Sequence, residues 1–302
     1  MTEKIVDDAI GLIGNTPMIR LRRIAKGKGA ELCVKIESMN PGGSVKDRPA
    51  LAMVRAAEER GDLKPGATIV EATSGNTGIS LAMIAAVRGY RCVIVMPEDM
   101  SVARQHILKS YGAEVILTSA SDGMAGAVEE AQRRLRSIPN AIACGQFENP
   151  ANPRSHSETT AKEILEATDG RIDVFVAGVG TGGTLTGVGL VLKKHDPKIR
   201  VVAVEPKASA VLSGGNPGLH GIQGLGAGFV PDVLDTNVID EIVPVTDSAA
   251  MTMTDRLSRE EGLLVGPSSG ANVHAALSIS HSLRPDQRVV TILCDGGERY
   301  LC

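Results

Sequence analysis

Short runs of apolar, largely β-branched residues alternate along the chain with longer segments of helical periodicity. In the segment 48–60, Ala50, Met53, Val54 and Ala57 recur at the i, i+3, i+4, i+7 spacing of an amphipathic helix. Strands that alternate with helices predict βαβ units, a mostly parallel sheet and an α/β fold. The predicted strands are 32–36, 68–72, 92–96, 114–118, 173–177, 201–205 and 289–294.

A turn-rich break lies near the middle of the chain, at Asn149-Pro150-Ala151-Asn152-Pro153. Such a cluster of turn-forming residues between periodic segments marks the expected domain boundary. The break divides the 302 residues into halves of about 150, each long enough for its own hydrophobic core. We therefore expect two α/β domains.

Charge and composition exclude several classes of partner. The 32 Lys and Arg residues against 35 Asp and Glu residues give a net charge of −3, which offers no basic surface for nucleic acid or anionic lipid. Residues 174–192 carry no charge, but nine of them are Gly or Thr, which is too polar for a membrane span. The first ten residues are charged and lack the apolar stretch of a secretory signal.

The five cysteines are widely spaced and contain no C-x-x-C pair. This pattern argues against a disulfide framework and against a structural zinc site. Buried thiols in a reducing, cytosolic setting are the simplest interpretation. The residues are Cys33, Cys92, Cys144, Cys294 and Cys302.

Four loops carry candidate chemistry, and the first is the segment 40–49, NPGGSVKDRP. Proline is tolerated in a helix only within its first turn, so Pro49 predicts a helix that begins near Lys46 or Asp47. A lysine at that position lies at the positive end of the helix dipole, which suits a Schiff-base role. The alternative is an ordinary surface lysine.

The second loop is Thr73-Ser74-Gly75-Asn76-Thr77-Gly78, which follows a predicted strand and opens a helix. Its hydroxyls, amide and backbone N–H groups at a helix N-terminus suit a carboxylate or another anion. The alternative is a capping turn, because Thr, Ser and Asn are common N-caps.

The third loop, 178–184, contains the G-x-G-x-x-G pattern, and Glu205 ends the next predicted strand 22 residues later. That spacing is typical of a dinucleotide-binding fold. The loop equally suits a single phosphate held by backbone N–H groups, since it contains no Lys or Arg. A structural glycine turn is the third alternative.

The fourth loop, 266–270, matches the G-x-S-x-G pattern of a hydrolase nucleophile. That chemistry requires an acid and then a histidine further along the chain, but the last histidine, His281, precedes Asp286 and Asp295. Ser268 is therefore expected to form a hydrogen bond or cap a helix. The six histidines show no metal-ligand spacing.

In this order and at these distances, the motifs GSVKDR, ATSGNTG, GTGGT and GPSSG closely resemble the cysteine synthase (O-acetylserine sulfhydrylase) family. The resemblance extends from IGNTP at 13–17, through Gln146-Phe147 and GIQGLGAGF at 221–229, to DGGERY at 295–300. It implies a fold-type II pyridoxal-phosphate enzyme, similar to the tryptophan synthase β subunit. Such a protein has two doubly wound α/β lobes with the cofactor in the cleft between them.

The resemblance also implies how the chain is divided between the lobes. An N-terminal lobe of residues 1–12 and 40–150 would be mobile and would bind substrate. A C-terminal lobe of residues 13–39 and 151–302 would bind the cofactor phosphate and the pyridine nitrogen.

The resemblance further implies roles for residues, with pyridoxal 5'-phosphate as the cofactor and no metal. Lys46 would form the internal aldimine, Asn76 would hydrogen-bond the ring 3-oxygen, and Ser268 would face the pyridine nitrogen. The residues expected to hold the phosphate are Gly180, Thr181, Gly182, Gly183 and Thr184. Those expected to bind the substrate are Thr73, Ser74, Thr77 and Gln146 at the carboxylate, and Gly228 facing the amino group. The dinucleotide interpretation falls away, because one loop does not serve both cofactors.

The implied reaction is replacement of acetate in O-acetyl-L-serine by sulfide, which gives L-cysteine in a ping-pong sequence through an α-aminoacrylate. Lys46 would act as general base. The resemblance implies a cytoplasmic homodimer, and an A-type enzyme would bind the C-terminal tail of serine acetyltransferase. EATSGNTG resembles the B-type isozymes whereas GIQGLGAGF resembles the A-type. The alternatives are a cystathionine β-synthase-type enzyme, an enzyme that uses O-phosphoserine, and a cofactor-bound regulatory protein.

Overall fold

The computed structural model describes residues 5–27 and 29–301. Its contacts divide the chain into two compact units. The first comprises residues up to Ile13 together with Asn40–Ala151, and the second comprises Gly14–Met39 together with Asn152–Leu301. Residues 1–4, 28 and 302 of the expected lobes lie outside the described residues, as does the fifth cysteine, Cys302.

The described residues form ten strands and nine α-helices, numbered here in chain order. The strands are β1 (Met18–Arg20), β2 (Glu31–Ile36), β3 (Thr68–Ala72), β4 (Arg91–Pro97), β5 (Glu114–Thr118), β6 (Ala141–Ile142), β7 (Val174–Gly178), β8 (Arg200–Pro206), β9 (Glu241–Val245) and β10 (Arg288–Leu293). The α-helices are α1 (Asp47–Glu59), α2 (Asn76–Arg88), α3 (Val102–Ser110), α4 (Gly123–Ser137), α5 (Ala151–Ser155), α6 (Ala161–Ala167), α7 (Gly183–His195), α8 (Asp247–Glu261) and α9 (Pro267–His281).

Shorter helical turns connect these elements. A single π-helical turn, His156–Thr160, lies between α5 and α6. The 3₁₀ turns are Ala9–Leu12, Glu37–Met39, Ala120–Asp122, Lys207–Ser209, Thr236–Val238 and Gly297–Tyr300.

Each unit contains one sheet with helices packed on it. The first unit has a wholly parallel sheet in the order β5-β4-β3-β6. The second has the order β1-β2-β10-β7-β8-β9, in which only the β1–β2 pair is antiparallel. Two buried clusters of apolar side chains lie in each unit, so each sheet is covered on both faces. The expected α/β fold with mostly parallel sheets is confirmed.

All seven predicted strands are present, with ends that differ by at most one residue. The predicted helix near residue 48 begins at Asp47 and ends at Glu59. The prediction missed β1, β6 and β9. The first two are only three and two residues long, and β9 contains Pro244, which has no N–H to donate and is confined to edge strands.

The four described cysteines are free thiols, and three of them are buried. Burial raises the thiol pKa to about 11 for Cys33 and to about 12 for Cys92. The three buried thiols are therefore protonated, and they behave as small apolar side chains. In the part of the chain that the structure describes, no helix is both long and apolar enough to span a bilayer.

Candidate active site

Lys46 is the capping residue immediately before α1, and it is half-buried. The next residue, Asp47, is fully buried and fixes this helix start. One Asp47 carboxylate oxygen accepts the Gly42 N–H at 2.6 Å, and the other accepts the Ser80 hydroxyl at 2.5 Å. Because Ser80 belongs to α2, the start of the lysine-bearing helix is tied to the helix that carries Asn76. The sequence pattern placed Asp47 at the predicted helix start but did not indicate these contacts.

The second loop lies between β3 and α2, and Asn76 is the first residue of α2. Thr77, in the first turn, is buried, and its hydroxyl donates to the Gln146 amide oxygen at 2.7 Å. The Thr73 hydroxyl accepts the Gly75 N–H at 3.2 Å. The structure thus brings Gln146, which is distant in sequence, to the polar loop with which the resemblance associates it.

Arg104 is a further cation at this loop, and the sequence analysis missed it. It is 6% exposed and donates from Nη1 to the Ser74 carbonyl oxygen at 3.2 Å. The residue lies on α3, and its local sequence, VARQHILKS, does not distinguish it from a surface arginine. Its positive charge favours an anion near Ser74.

The glycine-rich loop lies between β7 and α7 of the second unit. Gly182, the N-cap of α7, has φ +84°. Residues with a β-carbon rarely adopt this left-handed conformation. At Gly180 a β-carbon would overlap the Gly224 carbonyl, and at Gly183 it would overlap the Asn152 side chain. Close packing against Gly224 and Asn152 therefore requires glycine at these two positions. The first N–H groups of α7 lack carbonyl partners within the helix.

Side chains from the segment 152–160 support the glycine-rich loop. Asn152 donates from Nδ2 to the Thr181 hydroxyl at 3.0 Å. The buried His156 has one ring nitrogen 2.9 Å from the Thr160 hydroxyl and the other 3.2 Å from the Thr184 hydroxyl. Asn152 and His156 were not predicted, because their partners are 29 and 28 residues away and no local pattern marks them.

Ser268 is the second residue of α9, and it is 3% exposed. A β-carbon built on Gly224 would lie 3.8 Å from the Ser268 hydroxyl oxygen, so this hydroxyl faces the 221–229 segment. The Gly226 N–H donates to the Val179 carbonyl at 2.9 Å, which joins the same segment to the glycine-rich loop. Gly228, with φ +83°, lies two residues further on. Ser268, the glycine-rich loop and the 221–229 segment are thus assembled within the second unit.

Glu205 explains the misleading dinucleotide spacing. Its carboxylate accepts the N–H groups of Leu212 and Ser213, at 2.8 and 3.0 Å, and the Ser213 hydroxyl. These partners hold a turn after β8, so the carboxylate has a structural role in the second unit.

A pyridoxal-phosphate-dependent enzyme family model matches residues 10–295. The chain belongs to this family. A curated cysteine synthase from Staphylococcus aureus is 52% identical over all 302 residues, which cover 97% of that protein. A crystal structure of cysteine synthase from Entamoeba histolytica is 43% identical with a TM-score of 0.95, over 100% of this chain and 90% of that one. A crystal structure of O-ureido-L-serine synthase is 47% identical with a TM-score of 0.95, over 98% of this chain and 94% of that one.

The residues present fit the cofactor that gives the family its name. A phosphate suits the start of α7, because the glycine-rich loop leads directly into this helix N-terminus, where the first N–H groups have no carbonyl partner within the helix. No Lys or Arg lies within the loop, so the helix dipole and N–H groups would balance the phosphate charge. Among the described residues, no group of His, Cys, Asp and Glu is arranged to hold a metal ion.

Proposed function

We propose that this chain is a cysteine synthase, which replaces the acetate of O-acetyl-L-serine by sulfide and releases L-cysteine. The observation that carries the proposal is the 52% identity with a cysteine synthase over the whole chain. The structural similarity to the Entamoeba histolytica cysteine synthase supports it. In this assignment the chain is a pyridoxal-phosphate-dependent transferase.

Residues at four helix starts would hold the cofactor. Lys46 would bind it through Nζ, and Asn76 would hydrogen-bond the ring oxygen. Ser268 would face the pyridine nitrogen. The phosphate would be held by Gly180, Thr181, Gly182, Gly183 and Thr184. The positions of these residues at the starts of α1, α2, α7 and α9 support the assignment, because a helix N-terminus favours negative charge.

When bound, pyridoxal phosphate withdraws electrons from the substrate α-carbon, which acidifies the α-proton and allows the β-substituent to leave. The substrate carboxylate would be oriented by Thr73, Ser74, Thr77 and Gln146, and Gly228 would face the amino group. Lys46 Nζ would take the α-proton as general base and return it after sulfide has added. Because Asp47 ties the start of α1 to Ser80 of α2, the base and the carboxylate site would keep a fixed geometry.

We extend the proposal to a cytoplasmic homodimer in which the first unit is the mobile, substrate-binding lobe. The family resemblance supports these features. These features do not depend on the reaction assignment, so evidence against them would leave that assignment unchanged.

The deciding experiment titrates O-acetylserine into the purified holoenzyme before any sulfide is present. We expect the visible absorption of the cofactor to change, with acetate released stoichiometrically, and cysteine to appear only when sulfide is added. Lys46→Ala is the matched control, and it should release no acetate. A wild-type spectrum that stays unchanged would refute this donor and favour O-phosphoserine, serine or a regulatory role.

The identity of the nucleophile is tested separately, because a 47% identical relative with a TM-score of 0.95 is an O-ureido-L-serine synthase. Sulfide, homocysteine and hydroxyurea would be compared as second substrates at equal concentration. The proposal predicts the highest kcat/KM with sulfide. Preference for homocysteine would indicate cystathionine β-synthase-type chemistry, and accumulation of O-ureido-L-serine would support the second candidate function.

A further inference from the structure

Glu71 is a buried acid with no role in the proposed reaction. It lies on β3, immediately before the polar loop of Thr73 and Thr77, and is 6% exposed. Within the described part of the chain, no Lys or Arg contributes to its electrostatic environment. A buried carboxylate without a cation is costly unless hydrogen bonds stabilise it, so the partners of Glu71 require an explanation.

The partner given by the geometry is a backbone N–H group: the Cys144 N–H donates to one Glu71 carboxylate oxygen at 2.9 Å. The backbone N–H groups of the next two residues, Gly145 and Gln146, act on the same carboxyl group and lower its pKa. Gly145 has φ +67°, and a left-handed residue within such a turn allows successive N–H groups to point at one anion. The segment 144–146 therefore forms an anion-binding turn whose anion is the Glu71 side chain.

The pairing of β3 with β6 explains why a side chain, rather than a backbone carbonyl, accepts hydrogen bonds from residues 144–146. The last aligned residues of this parallel pair are Ile69 and Ile142. Beyond them the backbone ladder ends, although Cys144 and Gln146 remain buried, with 4% and 8% exposure. Buried N–H groups need acceptors, and the Glu71 carboxylate supplies them where the ladder no longer does. Burial and, to a smaller extent, the nearby Glu148 raise the pKa of Glu71, and the backbone N–H groups of residues 144–146 oppose that rise.

The consequence concerns Gln146, the third residue of this turn. Its amide oxygen accepts the Thr77 hydroxyl at 2.7 Å, so the orientation of the amide depends on where the turn places its backbone. Glu71 thus lies between two segments that the proposed function assigns to the substrate. It lies on β3 two residues before Thr73, and through the Cys144 N–H it holds the turn that leads to Gln146.

We propose that Glu71 is a positioning residue for the substrate carboxylate, acting through the backbone of residues 144–146 to place the Gln146 amide against Thr77. The proposal rests on the proposed function, because that function assigns Gln146 and Thr77 to the substrate. Glu71 itself touches neither substrate nor cofactor in this assignment.

The test compares Glu71→Gln with wild-type holoenzyme. Glutamine keeps the shape of the side chain but replaces one acceptor oxygen by an NH₂ donor, which would face the N–H groups of the turn. We expect the O-acetylserine concentration at half-saturation to rise by about tenfold or more, with kcat changed by less than about threefold. The cofactor spectrum should be unchanged. If Glu71→Gln does not fold, Glu71→Asp takes its place, because aspartate keeps the charge but is one methylene shorter. It should likewise raise half-saturation with little change in kcat.

Two further measurements separate positioning from general destabilisation. Ile69→Val, a buried change on the same strand, is the matched control and should leave half-saturation unchanged at a similar unfolding midpoint. In a Gln146→Ala background, Glu71→Gln should add little to the rise in half-saturation, because both changes remove the same contact. Full additivity, or an altered midpoint with unchanged half-saturation, would overturn the proposal.

Hydrogen exchange makes the test independent of the reaction. The amide protons of residues 144–146 should exchange faster in the substrate-free Glu71→Gln holoenzyme than in wild type and in Ile69→Val. Unchanged exchange there would overturn the proposal whatever the substrate is. If wild type does not respond to O-acetylserine but residues 144–146 still exchange faster in Glu71→Gln than in wild type, the proposed function would be refuted and the structural role of Glu71 supported.

Discussion

Lys46 and Ser268, both proposed to meet the cofactor ring, lie at the starts of helices. Lys46 precedes the first residue of α1 and Ser268 is the second residue of α9. At such positions the backbone N–H groups point outward and the helix dipole favours negative charge or a lone pair. The side chain then determines the chemistry: an amine can bind a carbonyl carbon, whereas a neutral hydroxyl meets a pyridine nitrogen without giving it a full proton.

The first prediction concerns Ser268→Asp. A carboxylate at this buried position would favour a protonated pyridine nitrogen and so strengthen electron withdrawal by the cofactor. We expect β-replacement to slow by about tenfold or more, and transamination to appear as a side reaction. The measurement is cysteine formed and keto acid released per mole of cofactor, with Ser269→Ala as a control one residue away. Unchanged β-replacement with no new product would contradict the idea that a neutral partner protects reaction specificity.

The second prediction is a pH dependence of stability at Glu130, on α4. Hydrogen bonds from Arg133 and Arg134, at 2.6–2.7 Å, lower the pKa of Glu130 to about 2. Because this folded-state pKa lies below the unfolded value of 4.5, the stabilisation is present above pH 4.5 and is lost as the pH falls through about 2. Glu130→Gln should therefore lower the free energy of unfolding at pH 7 by about 0.5 kcal/mol, a size typical of helix ion pairs near the surface.

Denaturant unfolding at pH 7, 4 and 2 measures this difference. We expect the difference in unfolding free energy between wild type and Glu130→Gln to disappear at the acid end. At pH 7 the difference should be smaller in 1 M salt than in 0.01 M salt, because the Debye length is about ten times shorter in 1 M salt. Glu129→Gln removes the same charge from an exposed neighbour and serves as control. A gap that does not depend on pH would show that the ion pairs are not its source.

At the scale of elements, local patterns predicted the strands and loops but not the side chains that connect them. The helix start after Lys46 and the glycine-rich loop were predictable, because Pro49 and the glycines act within a few residues of the backbone they shape. Glu71 and His156 were not, since their partners are brought close only by the β3–β6 pairing and by packing against α7. β9 was missed because Pro244 interrupts its hydrogen-bonding pattern.

The third prediction concerns the π-helical turn His156–Thr160. The His156 ring bridges the hydroxyls of Thr160 and Thr184, and Thr184 belongs to the loop proposed to hold the phosphate. His156→Phe keeps a buried ring without hydrogen bonds, so we expect cofactor affinity to fall by about tenfold while the unliganded fold remains. Equilibrium dialysis followed by the visible absorption measures the affinity. His195→Phe, a change at the exposed end of α7, is the control, and equal affinities in wild type and His156→Phe would contradict the prediction.

At the scale of the whole molecule, each unit has its own sheet and its own pair of apolar clusters. The second unit is built from segments distant in sequence, because β2 pairs with β10. The sequence pattern predicted two domains of similar size, but periodicity alone does not show that β2 pairs with β10. Such a pairing is a non-local contact, so only the family resemblance suggested it.

The last prediction concerns a partner. If Thr73, Ser74, Thr77 and Gln146 bind the substrate carboxylate, the C-terminal carboxylate of a peptide can occupy the same donors. An A-type enzyme would bind the tail of serine acetyltransferase in this way. We expect a synthetic peptide of that tail to raise the apparent KM for O-acetylserine without changing kcat, as competition requires.

The same peptide with an amidated C-terminus is the matched control, because it differs by a single charge and one acceptor oxygen. It should compete at least about tenfold less well, since a charged acceptor at buried donors contributes more than a neutral one. Thr77→Val should weaken the free-acid peptide and leave the amidated peptide nearly unaffected, which places the carboxylate at the start of α2. Equal inhibition by both peptides would assign the interaction to a different surface. Absence of inhibition by either peptide would reject the predicted binding of the serine acetyltransferase tail.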